Sequence, residues 1–308
     1  MLDVNSLYPH IMYTSQLPYG EPEFVPGKVD PSNDRPLTIF SITFVAKLKP
    51  NHIPCIQVKG SNRFVETEYL SEIKEPTTLT ITNIDFELYN KHYDLEVLEY
   101  HGGWRFRAAR GMFKTYIDKW SKIKAESTGG KREIAKLFLV SLYGKFASNP
   151  LVKSKIPYFE NDEVKFALGV EEERAPVYTP VGVFITSHAR HLTISAAQRS
   201  YLVFAYCDTD SLHLFTDTAP AWLDIDPNKM GAWKLEYSFD EAYYIRAKAY
   251  LERHGDTFTN RVAGLPERIS ETLTFDDLKP GTVLEGKLTP KVVPGGVVLK
   301  NVSYALKV

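Results

Sequence analysis

Two short runs rich in apolar and aromatic residues, Tyr201–Tyr206 and Ser211–Phe215, are separated only by Cys207-Asp208-Thr209-Asp210. A connection that short joins antiparallel neighbours, so the chain must carry two carboxylates at the tip of a β-hairpin. Alternate residues of an extended segment share a face, which predicts both acids on one side. Carboxylates that close repel one another unless a cation intervenes. An isolated Asp-x-Asp is usually a solvated turn, but apolar strands on both sides argue that this pair is held rigidly. Asp3 adds a third carboxylate at the end of a strand spanning Met1–Val4. Ser6 then stands where it can cap a short helix running through Pro9 to about Ser15. Hard oxygen donors suit Mg²⁺, which keeps several waters and takes one or two carboxylates plus substrate phosphates. Two such ions can stabilise the attacking and leaving oxygens of phosphoryl transfer.

The rest of the chain reads as a mixture of helices and strands. Residues 16–100 are mostly β, with runs at Leu37–Leu48 and Ile53–Val58. Helical spacing over residues 111–127 puts Met112, Tyr116, Trp120 and Ile123 on one face, and Gly129-Gly130 breaks the chain. A second helix follows from about Lys131 to Phe146, with Ile134, Leu137, Phe138, Ser141 and Leu142 inward. Residues 151–175 read as a loop or hairpin, and Val181–Gln198 as a helix entered after Pro180. Thr289-Pro290 and Pro294-Gly295-Gly296 read as turns between short β runs in the tail. Cys55 and Cys207 lie far apart in strand-like runs and give no disulfide framework. No apolar run reaches membrane-spanning length, and no signal peptide is evident. The reading is a cytoplasmic protein with no membrane partner.

Charge is informative only locally. The formal net charge is -1, yet residues 101–155 hold 13 Lys+Arg against 3 Asp+Glu. Such a segment suits a protein that grips phosphate at one place. Within it, Arg132, Lys136, Val140 and Tyr143 fall on one helical stripe. Lys136 and Tyr143 are roughly 10 Å apart at the helical rise, about the distance from a triphosphate to its base. Gly144 leaves room for a base or backbone to approach.

The run Asp3-Val4-Asn5-Ser6-Leu7-Tyr8-Pro9, the stretch from Lys136 through Ser141-Leu142-Tyr143-Gly144, and Tyr206-Cys207-Asp208-Thr209-Asp210-Ser211 resemble, in order, the three polymerase motifs of family B DNA polymerases. Lys248-Ala249-Tyr250 resembles the Lys-x-Tyr motif of the protein-primed branch. Leu17-Pro18-Tyr19-Gly20-Glu21-Pro22, Tyr143 through Pro150, and Val293-Pro294-Gly295-Gly296-Val297-Val298-Leu299 are similar to the small Bacillus-phage type. The resemblance implies an α+β right-hand polymerase with two terminal-protein-region insertions. Its divisions would be palm at 1–14 and 176–267, first insertion at 15–111, fingers at 112–147, second insertion at 148–175 and thumb at 268–308.

The resemblance also implies roles. Asp3 and Asp210 would ligate two divalent cations, Mg²⁺ or Mn²⁺, with the Val4 carbonyl, and Asp208 would support them. Tyr8 would exclude a ribose 2′-hydroxyl, Tyr143 would pack on the incoming base, and Lys124, Arg132 and Lys136 would meet the triphosphate. Ser6 and Gly144 would contact template, Thr186 and Arg190 the primer strand, and Lys248 and Tyr250 the primer terminus. The implied partners are primer-template DNA, dNTPs and a terminal protein primer. Two departures stand out. Val140 occupies a position where the family usually has Asn, and an N-terminal 3′–5′ exonuclease domain has no counterpart before Asp3. The expectations are a chain without proofreading whose short first strand is loosely held, and so a poor polymerase when alone. The rival reading is a catalytically impaired remnant that binds DNA or a terminal protein. A metal nuclease is weaker, because it needs neither Tyr8 nor the Lys136–Tyr143 stripe.

Overall fold

The structure, a computed structural model, describes residues 1–58, 69–160, 163–175, 177–262, 265, 273–277, 279, 281–293 and 296–305. They form two compact units, one of Met1–Ser148 with Val177–Glu236, the other of Asn149–Pro176 with Tyr237–Val308.

The first unit holds two antiparallel sheets. The smaller is built from β1 (Leu2–Val4), β8 (Phe204–Asp208), β9 (Ser211–Leu214) and β10 (Trp233–Leu235), in the order β10-β1-β9-β8. Leu2 and Val4 are buried and Asp3 between them turns to the opposite face, as a strand's period of two requires. The first strand is as short as the sequence implies, three residues, and both of its edges are paired. Asp3 lies opposite Lys234 on one side and Ser211 on the other, and the Glu236 N–H donates to the Met1 carbonyl at 3.1 Å. Under this sheet, α1 (Leu7–Thr14) packs with α5 (Pro180–Arg199), burying Ile11, Met12, Phe184 and Ile185.

The second sheet has the order β2-β5-β3-β4, from β2 (Leu17–Val25), β3 (Leu37–Leu48), β4 (Glu72–Thr82) and β5 (Tyr93–Ala109). Its core includes Phe40, Ile42, Phe44, Leu88 and Tyr93. Gly103 lies so close to β3 that an added Cβ would meet the Ile39 carbonyl oxygen at 2.2 Å. A helix not foreseen, α2 (Asn83–His92), interrupts the β-rich stretch. Its signal is local: the Thr82 hydroxyl accepts from the Asp85 N–H, and Lys91 and His92 close the last turn. Ile53–Val58 is not a strand. The Cys55 and Ile56 N–H groups donate to the Tyr93 hydroxyl instead of to a ladder.

The basic segment forms α3 (Lys114–Glu126) and α4 (Gly129–Phe146). The break between them falls at Ser127-Thr128, and Gly129-Gly130 start α4 rather than end α3. The inward face is also corrected. Ala135 and Leu139 are buried, whereas Ile134, Leu137 and Phe138 are exposed, Phe138 lying flat on Trp120 with ring centroids 4.2 Å apart. Two apolar stripes compete on this helix, and the smaller one faces the core.

The second unit contains the predicted hairpin, β6 (Leu151–Glu160) with β7 (Glu163–Glu173). It also holds the three-stranded sheet β11 (Glu241–Arg246), β12 (Ala249–His254), β13 (Thr257–Val262), and a ribbon of β14 (Val283–Val293) and β15 (Gly296–Ala305). Thr289 and Pro290 are not a turn but pair with Lys300 and Leu299 inside the ribbon. Each strand of a two-stranded ribbon has an open edge, where proline is tolerated. Pro294 and Gly295 of the other expected turn lie outside the described residues, as do residues 268–272 of the tail.

Candidate active site

The hairpin between β8 and β9 closes on two residues, Thr209 and Asp210, with Asp208 paired to Ser211. The acids are therefore not alternate residues of one extended segment. Thr209 has φ 50, a left-handed conformation that a β-branched residue adopts at a cost on the order of 1–3 kcal/mol. Its hydroxyl donates to Asp208 Oδ1 at 3.0 Å, and the Ser211 hydroxyl donates to the Asp208 carbonyl at 3.1 Å. The Val4 N–H donates to the Asp210 carbonyl at 2.9 Å, which ties the tip to the end of β1. From α5, the Thr193 hydroxyl donates to the Thr209 carbonyl at 2.7 Å.

This stitching sets Asp3 beside Asp210. The Asp3 carboxyl is pushed up to about 7, first by burial, then by the negative charges of Asp210 and Glu236, against the opposing pull of Lys234. Glu236 was missed in the sequence, because only the pairing of β10 beside β1 brings it near. Among the described residues, no group of three or more His, Cys, Asp or Glu side chains is gathered as a metal cage. Two crowded carboxylates are a smaller set, but their excess negative charge is what a hard cation relieves, and Mg²⁺ completes its shell with water and phosphate oxygen. The donor chemistry fits a divalent cation on Asp3 and Asp210.

The other half of the site comes from α1, α3 and α4. Ser6 precedes α1 in a left-handed conformation, and its side chain makes no cap; instead Lys124 Nζ donates to its hydroxyl at 3.5 Å. Lys124 is pushed below the ordinary lysine value by burial and by the neighbouring charges of Arg132 and Lys136. Three cations thus crowd one place, the mirror of the acidic crowding at Asp3. The Tyr8 ring lies 4.3 Å from that of Tyr143. Burial, then Tyr143, Asp210 and Asp208, push the Tyr8 hydroxyl upward. Gly144 follows, with open space where a Cβ would sit. Val140 is exposed.

The remaining expected residues make contacts of their own within the protein. The Thr186 hydroxyl donates to the Val183 carbonyl in its own helix at 2.8 Å. Arg190 is bound at 2.9–3.0 Å to both oxygens of buried Asp85 on α2, although its charge still reaches Tyr8. Lys248 and Tyr250 belong to the second unit. Lys248 is left-handed at φ 59, and the Tyr250 ring lies 5.5 Å from that of Tyr244.

The family described as DNA polymerase type B, organellar and viral, matches residues 1–224. The chain belongs to that family. The DNA polymerase of Bacillus phage phi29 is 44% identical over the whole chain, and that of Streptococcus phage Cp-1 is 35% identical over 99% of it. The chain spans 57% and 56% of those two proteins. Among solved structures, phi29 DNA polymerase complexed with primer-template DNA and incoming nucleotide substrates superposes with TM-score 0.92 at 44% identity, over 99% of this chain and 57% of that one. The complex of phi29 DNA polymerase with single-stranded DNA gives TM-score 0.90 at 42% identity, with the same coverages. Among the described residues, no helix of this type B polymerase chain is long and apolar enough to cross a membrane.

Proposed function

We propose that this chain carries the nucleotidyl-transfer site of a template-directed DNA polymerase. It would transfer dNMP from a dNTP to a primer 3′-hydroxyl, or to a protein hydroxyl at initiation, and release pyrophosphate. One observation carries the reading: Tyr8 feels Asp208 and Asp210 while its ring lies 4.3 Å from Tyr143, so the acidic hairpin and the basic helix serve one site.

Asp3 and Asp210, with the Val4 carbonyl, would hold two divalent cations, Mg²⁺ or Mn²⁺. When bound, these supply Lewis-acid stabilisation of charge on the attacking and leaving oxygens. Lys124, Arg132 and Lys136 hold the triphosphate, and their mutual crowding is relieved when its negative charge arrives. Tyr143 offers its ring to the incoming base, and Tyr8 walls off the position of a ribose 2′-hydroxyl. Gly144 and Ser6 face template, while Asp208 braces the hairpin. Thr186 and Arg190 would contact the primer strand, and Lys248 and Tyr250 the primer terminus. The divisions are palm at 1–14 and 176–267, fingers at 112–147, thumb at 268–308, and insertions at 15–111 and 148–175 that embrace a terminal protein primer.

The test is extension of a labelled primer on a template by the purified 308-residue chain in Mg²⁺ or Mn²⁺. Template-directed addition is expected, and it should vanish on leaving out the complementary dNTP. A folded chain that retains primer-template DNA yet adds no nucleotide with either cation would favour the DNA-binding remnant instead.

A further inference from the structure

The tip that carries Asp208 and Asp210 depends on Thr209 staying left-handed, a conformation a β-branched residue leaves readily. Three bonds oppose that relaxation from within the sheet: Val4 N–H to the Asp210 carbonyl, the Ser211 hydroxyl to the Asp208 carbonyl, and the Thr209 hydroxyl to Asp208 Oδ1. None of them grips the Thr209 carbonyl, the group that swings when the Thr209–Asp210 peptide rotates. That grip comes from outside the sheet. Thr193 is 97% buried in the middle of the 20-residue α5, and its hydroxyl donates to the Thr209 carbonyl at 2.7 Å.

We propose that Thr193 is a positioning residue, whose hydroxyl locks the Thr209 peptide and so fixes the separation and aim of the Asp208 and Asp210 carboxylates. The inference rests on the polymerase reading above, in that Asp210 is taken as a cation ligand. The role is suited to this position. A helix with buried residues from Val181 to Ala197 moves less than a turn does, so it can define an angle that the hairpin cannot define for itself. One hydrogen bond at the pivot of a turn bears on both acids, because they flank Thr209, whose carbonyl it holds. Threonine fits better than serine: its methyl group is packed, and branching restricts χ1 so that the hydroxyl is pre-aimed.

The experiment uses the full chain with Thr193→Val, which keeps the shape and removes the donor, and Thr193→Ser, which keeps the donor. Thr193→Cys, a weak donor of similar size to serine, covers the case in which valine fails to fold. Three readouts are taken: amide hydrogen exchange across residues 206–212, Mn²⁺ affinity by electron paramagnetic resonance, and kcat and KM for primer extension. Thr193→Val should speed exchange in the hairpin with the melting temperature little changed. It should weaken Mn²⁺ binding several-fold and lower kcat on the order of a hundredfold, the effect of about an ångström of misplacement, with KM for primer-template unchanged. Thr193→Ser should recover most of each. A purely structural threonine would lower the melting temperature without separating kcat from KM and without rescue by serine, and that result overturns the proposal. So does wild-type exchange and turnover in Thr193→Val. If the unmutated chain adds no nucleotide, the polymerase reading fails by that result. Hairpin exchange and Mn²⁺ affinity then decide on Thr193 by themselves, with unchanged values in Thr193→Val counting against it.

Discussion

Asp3, half-buried, and Asp85, buried, are both carboxylates of the first unit, and they are treated in opposite ways. Asp85, 4% exposed, collects five hydrogen bonds: three from Arg190 and one each from the Ser187 and Thr82 hydroxyls. Asp3 receives the reverse, with Asp210 and Glu236 adding negative charge and Lys234 only partly offsetting it. A carboxylate that is fully satisfied within the protein fastens α2 to α5 and has little left for a ligand. One that is crowded by its own kind is unfavourable until a cation or proton arrives. The comparison separates structural acids from chemical ones by what surrounds them, not by burial alone.

The sharpest way to break the contrast is to delete a carboxylate from each place. Asp210→Ala or Asp3→Ala should cut nucleotide incorporation on the order of 10⁴-fold or more, since cation charge stabilisation supplies several kcal/mol. Binding to primer-template DNA should persist, because phosphate contacts dominate affinity. Single-turnover extension beside a DNA-binding titration measures both, and near-normal extension by either variant would remove the pair from the mechanism. Asp85→Ala should act on stability instead. It leaves the Ser187 and Thr82 hydroxyls without their acceptor, while the Arg190 guanidinium, 42% exposed, can still turn to water, so the expected cost is about 1–3 kcal/mol. Denaturant unfolding should show that loss, and a cost below about 1 kcal/mol would mean that the Arg190 fastening is unimportant.

A smaller effect tests the reach of the acidic site. Tyr8→Val should relax discrimination against ribonucleotides roughly a hundredfold, the scale of a steric contact worth a few kcal/mol. Single-nucleotide kinetics with paired dNTP and rNTP would detect it, and unchanged selectivity would leave Tyr8 as a packing partner of Tyr143 only.

How far the sequence alone reaches differs by region for physical reasons. Apolar runs around Asp208-Thr209-Asp210 made the hairpin legible, and the tyrosine and cations of α4 were legible from helical spacing. The geometry of the tip was not, because an extended-strand argument cannot foresee a left-handed Thr209. Helix α4 carries two apolar stripes, and only packing decides that Ala135 and Leu139 turn inward. Glu236 and Thr193 act on the site across 233 and 16 residues of chain respectively, to Asp3 and Thr209. Arg190 was read only as a primer-strand contact, and its ion pair with Asp85 was not foreseen because it forms only where α2 packs on α5.

The mildest expected effect is a slope with pH. The Asp3 carboxyl, ordinarily near 3.8, is held at about 7 in the folded chain. Between those values the folded state keeps a proton that the unfolded state releases, so stability falls as pH rises from about 4 to about 7. Asp3 is only half-buried, so after solvent screening the change is about 1 kcal/mol, or roughly 2–4 °C in melting temperature. Asp3→Asn should flatten that part of the curve in cation-free buffer. A divalent cation that replaces the proton should also flatten it, so Mg²⁺ should raise the melting temperature more at pH 8 than at pH 5. Paired thermal melts of the two chains, with and without Mg²⁺, give all four curves. Parallel curves for Asp3→Asn and the unmutated chain would show that crowding at Asp3 is relieved by some means other than a cation or a proton, and the contrast with Asp85 would lose its basis.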